Sequence, residues 1–267
     1  ELVRYLRMAR ELMKDSMIDG ELVFALAKTH QLNDLEDFIN GSNQANIQQV
    51  GDRCYDERLY EACKILYTSI GNNQMLASTL VYLKEYQQAL DAAKKANIPK
   101  VWKEVAFACV RSREFRLASI AGLNIIMQPD HLESLIEHYE KYGYYKELIN
   151  LLESGLGAEG AHMGLYTELG VLYAKYDPDR LMDHLKTFAQ KLNITKLIRV
   201  CERYQMWPEC VFLQSHYDEY DNAVCTMMDH SPSSWRHDIF VQNILKVSNH
   251  DLYYSCLLYT SPSPRDS

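Results

Sequence analysis

Leu59-Tyr60-Glu61-Ala62-Cys63-Lys64-Ile65-Leu66-Tyr67-Thr68-Ser69-Ile70 places apolar side chains at 59, 62, 63, 66, 67 and 70. Steps of three and four put them on one stripe of an α-helix a few turns long. Near its start a large residue, Tyr60, is followed three positions later by a small one, Cys63. The same step from a large residue to a small or aliphatic one recurs at Leu32/Leu35, Tyr86/Ala89, Phe115/Ala118, Tyr145/Leu148 and Trp207/Cys210. First members at 32, 60, 86, 115, 145 and 207 are separated by 28, 26, 29, 30 and 62 residues. The last step is two intervals of 31, and the missing instance falls at Tyr176, where Pro178 interrupts the pattern. A lone pair of short amphipathic helices cannot hide its apolar stripe, whereas a stack of such pairs can. The sequence therefore predicts an all-α fold: a right-handed α-solenoid, or superhelix, of stacked short antiparallel helix hairpins, about 30 residues per hairpin. The small partner lets the next helix approach, and the large one fills the gap between layers.

Working outward, Tyr86/Ala89/Leu90/Ala93, Leu132/Leu135/Ile136/Tyr139, Tyr145/Leu148/Ile149/Leu152 and Tyr220/Ala223/Val224/Met227 repeat the i, i+3, i+4, i+7 stripe. No segment sustains the alternation of a strand. Pro99, Pro129, Pro178, Pro208 and Pro232 each precede a stripe, at the helix start where a missing N–H is harmless. Helices of about 10–14 residues joined by short turns must lie antiparallel to their neighbours. The variable period departs from the strict 34-residue tetratricopeptide repeat.

The chain has 267 residues, 47% hydrophobic and 24% charged, which are folding proportions. Its net charge of −8 excludes a strongly basic nucleic-acid surface at the level of the whole chain. No apolar run reaches the ~20 residues of a membrane helix. Glu1 opens inside an amphipathic pattern, as expected of a piece of a longer protein. The seven cysteines (54, 63, 109, 201, 210, 225 and 256) contain no CxxC pair and read as buried, reduced thiols. Gly155–Gly160 matches GxGxxG but follows a helix rather than a strand, so it reads as an inter-helix loop. There is no HExxH, GxSxG or GxxxxGK[ST]. The expectation is no catalytic residue, no metal site, no cofactor and no small-molecule substrate.

One cluster stands out against the acidic background. Lys186, Lys191, Lys196, Arg199 and Arg203 fall within eighteen residues, and the last three, at i, i+3 and i+7, share a helix face. The plain reading is a solvated face. The sharper one is a docking strip for an acidic partner helix, extended by Lys175, Arg180 and His184.

Several strings resemble the clathrin heavy-chain family. They are Ala45–Glu57 (ANIQQVGDRCYDE), Trp102–Val105 (WKEV), Glu114–Ala118 (EFRLA), Ala161–Gly164 (AHMG) and Glu219–Ala223 (EYDNA). The resemblance runs from Glu1 to about Tyr254 and is closest to the proximal part of the triskelion leg. It implies a structural coat component that packs beside other heavy-chain legs in the lattice of coated pits and vesicles. It also implies a cytoplasmic location and a bound light chain, for which Lys175, Arg180, His184, Lys196, Arg199 and Arg203 are the candidate contacts. It implies no enzyme activity, no nucleic-acid partner and no direct membrane insertion. The family's adaptor-gripping propeller and trimerising hub have no counterpart in this stretch. The alternative is a tethering or sorting scaffold of the endolysosomal system built from the same repeat.

The expected organisation is part of one repeat at 1–122, a following repeat at 123–254 and a non-native, disordered tail at 255–267. The tail, Ser255 to Ser267, has two prolines and three serines in its last eight residues and resembles translated adapter read-through.

Overall fold

The structure, a computed structural model, describes residues 1–260. Among them there are α-helices and short 3-10 turns but no strand. The chain forms two compact units, Glu1–Tyr142 and the segment from Gly143 onward. In the first, α1 (Leu2–Leu12), α2 (Ser16–Lys28), α3 (Leu32–Asn40), α4 (Ile47–Asp56) and α5 (Tyr60–Ile70) lead into α6 (Asn73–Tyr82) and α7 (Tyr86–Ala96). They are followed by α8 (Pro99–Arg111), α9 (Phe115–Ile126) and α10 (Pro129–Tyr142). α1 packs on α2 and α2 on α3, and from α4 to α10 each helix packs on the next. In addition α2 packs on α4, α6 on α8, α3 on α5, and α7 on α9, which makes two layers of helices.

The second unit holds α11 (Tyr145–Gly155), α12 (Met163–Tyr176), α13 (Leu181–Phe188), α14 (Ile194–Arg203) and α15 (Trp207–His216). After these come α16 (Tyr220–Asp229), the one-turn α17 (Ser231–Ser234), α18 (His237–Ile244) and α19 (His250–Thr260). Single 3-10 turns at Pro178–Arg180 and Ala189–Lys191 flank α13. Several helices are shorter than the period suggests: α13 and α18 have 8 residues each.

The large-then-small step marks hairpin geometry. Leu32, Tyr60, Tyr86, Phe115, Tyr145 and Trp207 each open a helix. Their partners Leu35, Cys63, Ala89, Ala118, Leu148 and Cys210 are all fully buried. Ahead of each opener, two residues back, the backbone turns left-handed: His30 (φ 55°), Arg58 (62°), Lys84 (63°), Arg113 (63°), Gly143 (76°) and Gln205 (58°), with Asp218 (62°) before Tyr220. These residues close Schellman caps. The N–H of Arg58 donates to Tyr55 O at 3.0 Å and that of Leu59 to Cys54 O at 2.9 Å. The pairs Lys84→Val81 and Glu85→Leu80 repeat this at 3.1 and 2.9 Å, and Gln205→Glu202 and Met206→Cys201 at 3.2 and 2.8 Å. The N–H of the small residue then donates to the carbonyl of the N-cap residue, as from Cys63 to Leu59 at 3.0 Å, so the second helix starts at once. The openers bridge to the next hairpin. Tyr60 stacks on Tyr82 at 4.6 Å, Tyr145 on Tyr176 at 3.9 Å, and Trp207 on His230 at 3.5 Å.

Tyr176 does not open a helix. It ends α12, whose buried face runs through Leu165, Tyr166, Leu169 and Leu172–Ala174, and Pro178 starts a 3-10 turn instead. At the C-terminus, the tail expected from Ser255 is corrected in part. α19 continues through Ser255 to Thr260, because no proline or glycine precedes Pro262 in that run. The remainder of the expected tail, 261–267, lies outside the described residues.

Candidate partner interface

α14 is built as a two-faced helix. The Asn193 side chain caps it by accepting the Lys196 N–H at 3.1 Å, and Thr167 Oγ1 on α12 accepts the Asn193 N–H at 2.9 Å. Ile194, Leu197 and Cys201 point inward and are buried. Lys196, Arg199 and Arg203 point outward and are exposed. With Asn193, Thr195 and Val200 they line a shallow, open hollow on the surface of α14. It is too open to enclose a small molecule, but its guanidinium groups have the planar donor fork that binds carboxylates two bonds at a time. Lys196 is already matched, because its ammonium pairs with Glu168 on α12. Arg199 has no ion-pair partner among the described residues, and Arg203 lies 6.0 Å from the Tyr204 ring.

The other expected contacts divide. Lys175 is exposed in the last turn of α12. Arg180 is half exposed and faces α11, where its guanidinium lies 2.6 Å from Glu153 and 5.0 Å from the Tyr173 ring centre. Tyr173 donates its hydroxyl to the same Glu153 at 2.7 Å, so Arg180 closes a structural network. His184 corrects the expectation. It is 5% exposed, and its Nε2–H donates to Tyr166 O at 2.9 Å. Burial holds its pKa below the ordinary imidazole value, which keeps it neutral. It cannot reach a partner on the surface. The signal was present in the sequence: Leu181, His184 and Leu185 stand at i, i+3 and i+4, and all three are buried.

The matching acids were missed. They lie about one repeat away from their cations: Arg180–Glu153 and Lys196–Glu168, like Arg7–Asp34 and Lys28–Glu57 in the first unit. That offset, near the hairpin period, was the available sign.

Elsewhere the chemistry is structural. Cys54, Cys63, Cys109, Cys201 and Cys210 are buried, and Cys225 is partly buried. Burial pushes the Cys54 and Cys109 thiols up to about 11 and those of Cys63, Cys201 and Cys210 to about 12. Gly155 ends α11, and the GxGxxG stretch after it is a turn. No set of three or more His, Cys, Asp or Glu among the described residues is placed to hold a metal ion. No described helix is long and apolar enough to cross a membrane.

Comparison with known proteins gives the same architecture a family. A family model described as a region in clathrin and VPS matches residues 1–117 and 123–263. The chain is 55% identical over 257 residues to clathrin heavy chain 2 of Oryza sativa subsp. japonica, covering 96% of this chain and 15% of that protein. It is 52% identical over 259 residues to the clathrin heavy chain of Dictyostelium discoideum, covering 97% and 15%. To human clathrin heavy chain 2 it is 50% identical over 259 residues, covering 97% and 16%. The chain thus spans about a sixth of the length of the curated relatives it matches.

Proposed function

This chain belongs to the clathrin-repeat family, and on that premise we propose that it works as a leg segment of a clathrin coat. In that role it packs beside other heavy-chain legs in the lattice of coated pits and vesicles, on the cytoplasmic side, and supports endocytosis and vesicle transport. One observation carries the reading. Identity of 50–55% runs through 96–97% of this chain to clathrin heavy chains of plant, amoeba and human origin. The same relatives favour a coat segment over a tethering scaffold, and a mechanical role over an enzymatic one. The proposed repeat boundary stays at Leu123, with repeat segments at 1–122 and 123–254.

The proposed light-chain contact centres on Lys196, Arg199 and Arg203, with Lys175 and Arg180 adding positive potential nearby. His184 is left out because it is buried. Exposed ion pairs contribute only about 0–1 kcal/mol each, so no single charge decides the affinity. The test is capture of purified clathrin light chain by this chain at low and high salt, for the parent and for Lys196→Glu/Arg199→Glu/Arg203→Glu. Weaker, less salt-dependent capture by the variant supports the contact. Equal capture at low salt rejects the strip while leaving the coat role standing. Failure of the parent to associate with heavy-chain legs under coat-assembling conditions rejects the coat role itself.

A further inference from the structure

Thr195 differs from the other threonines whose side chains are described. The hydroxyls of Thr29, Thr68, Thr79, Thr167 and Thr187 donate to backbone carbonyls at 2.6–2.9 Å, and that of Thr226 donates to Gln214 Oε1 at 3.0 Å. Thr195 is exposed, and its hydroxyl has no hydrogen-bond partner among the described residues. It stands in the first turn of α14, two residues after the Asn193 cap, and lines the hollow that Lys196, Arg199 and Arg203 share. Thr195 and Arg199, at i and i+4, lie one turn apart on the same helix face. Lys196 is matched by Glu168, whereas Arg199 and Arg203 have no ion-pair partner among the described residues. Two positive charges in the hollow are therefore uncommitted. A phosphate monoester carries about −1.5 to −2 at pH 7, enough to cancel them. Its oxygens suit a guanidinium fork, and the first turn of a helix favours negative charge.

We propose that Thr195 is a phosphorylation site whose phosphate switches the α14 strip off for acidic partners, an inference that rests on reading the strip as a docking surface. The enzyme that fits is a protein kinase with an acidic substrate groove, since Lys191, Lys196 and Arg199 flank Thr195 at −4, +1 and +4. The γ-phosphoryl group of Mg-ATP passes to Thr195 Oγ1: the bond to the β-phosphate oxygen breaks, the Oγ1–P bond forms and ADP leaves. The hydroxyl proton goes to a carboxylate base of the kinase and from there to water. Thr187 is the internal control. It is exposed and lies beside Lys186, but its hydroxyl is committed to Asp183 O at 2.7 Å.

The test uses the whole chain. It is incubated with Mg-ATP and a panel of purified basophilic kinases, and mass mapping follows the order of labelling. Thr195 is expected to be labelled well before Thr187; no label on Thr195, or equal rates at the two, overturns the proposal. Phosphothreonine is then installed at 195, or at 187 as control, by genetic-code expansion. Binding of labelled polyglutamate and of purified clathrin light chain is read by fluorescence anisotropy at low salt. The 195 phosphoprotein is expected to bind both about tenfold more weakly than the parent, with a flatter salt dependence and a melting temperature held or raised by about 1–3 °C. The 187 phosphoprotein is expected to lose less than the 195 form. Equal binding by parent and 195 phosphoprotein, equal losses at the two positions, or a lowered melting temperature at 195 each overturn the proposal. A parent that binds polyglutamate but not light chain rejects only the light-chain assignment of the strip and leaves the Thr195 switch to be judged on polyglutamate. A parent that binds neither overturns both.

Discussion

Replacing Gly51 by alanine sets two effects of known sign against each other where α4 crosses α5. A Cβ at position 51 would lie 2.9 Å from Cε1 of Tyr67, 3.3 Å from Cζ and 3.5 Å from Cδ1. Tyr67 cannot easily yield. It is fully buried, and its hydroxyl donates to Asp52 Oδ1 at 2.8 Å, on the same helix as Gly51. Alanine in a helix interior gains about 1 kcal/mol over glycine. Forcing a methyl into a filled crossing costs about 1–3 kcal/mol. If the ring shifts, the Tyr67–Asp52 bond, which involves a carboxylate, adds about 1.5–3 kcal/mol of loss. The net expectation for Gly51→Ala is a destabilisation of about 0–2 kcal/mol with the Tyr67–Asp52 bond kept and about 1.5–5 kcal/mol with it lost. In a Tyr67→Leu background the ring is gone, the clash with it, and the same substitution should stabilise by about 1 kcal/mol. The assay is a double-mutant cycle on urea midpoints, with amide exchange in α4 and α5 reading the local effect, since contacts between neighbouring hairpins open locally. A raised midpoint for Gly51→Ala alone, or no change of sign between the two backgrounds, refutes the reasoning.

Gly143→Ala should destabilise by about 1 kcal/mol through backbone strain alone, because φ is +76° and no heavy atom lies within 4 Å of the added methyl; thermal melting reads it, and an unchanged melting temperature contradicts the cap assignment. In a Cys256→Ser background, an aromatic disulfide reagent at neutral pH should label Cys225 first in the folded chain, with Cys54, Cys63, Cys109, Cys201 and Cys210 reacting only on denaturation; mass mapping reports the order. Burial holds His138 and His184 below the ordinary imidazole value of 6.5, so the unfolded chain takes up protons that the folded chain refuses. Their contribution to stability is complete above about pH 6.5 and is lost as pH falls through the lowered folded-state values. The melting temperature should therefore drop between pH 7 and about pH 5.5, and His184→Gln, which can still donate to the Tyr166 carbonyl, should flatten that drop; a slope identical to the parent contradicts it.

The helices and their pairing were legible in the sequence because both rest on short-range rules. A stripe of period 3.6 fixes which side of α5 or α14 faces inward, and the step from Tyr60 to Cys63 or from Trp207 to Cys210 fixes where a hairpin turns. Those rules placed Lys196, Arg199 and Arg203 together on one exposed face of α14. They also contained the correction to His184, since its spacing from Leu181 and Leu185 puts it on the buried side. The shortness of α13 and α18 and the extension of α19 through Thr260 depended on the balance between weak local propensity and packing, which no short window reports.

What the tertiary structure alone decided is the register between successive layers. Glu153 and Glu168 meet Arg180 and Lys196 only because helices about one hairpin apart in sequence lie side by side. Tyr176 reaches Tyr145 for the same reason. The left-handed turns are also a property of the assembled hairpins. Nothing in the side chains of Arg58 or Lys84 favours that backbone, but the two cap hydrogen bonds and the buried residue that follows leave it no other path. Local sequence sets which face of a helix is apolar; which charge meets which depends on the packing of segments far apart in the chain.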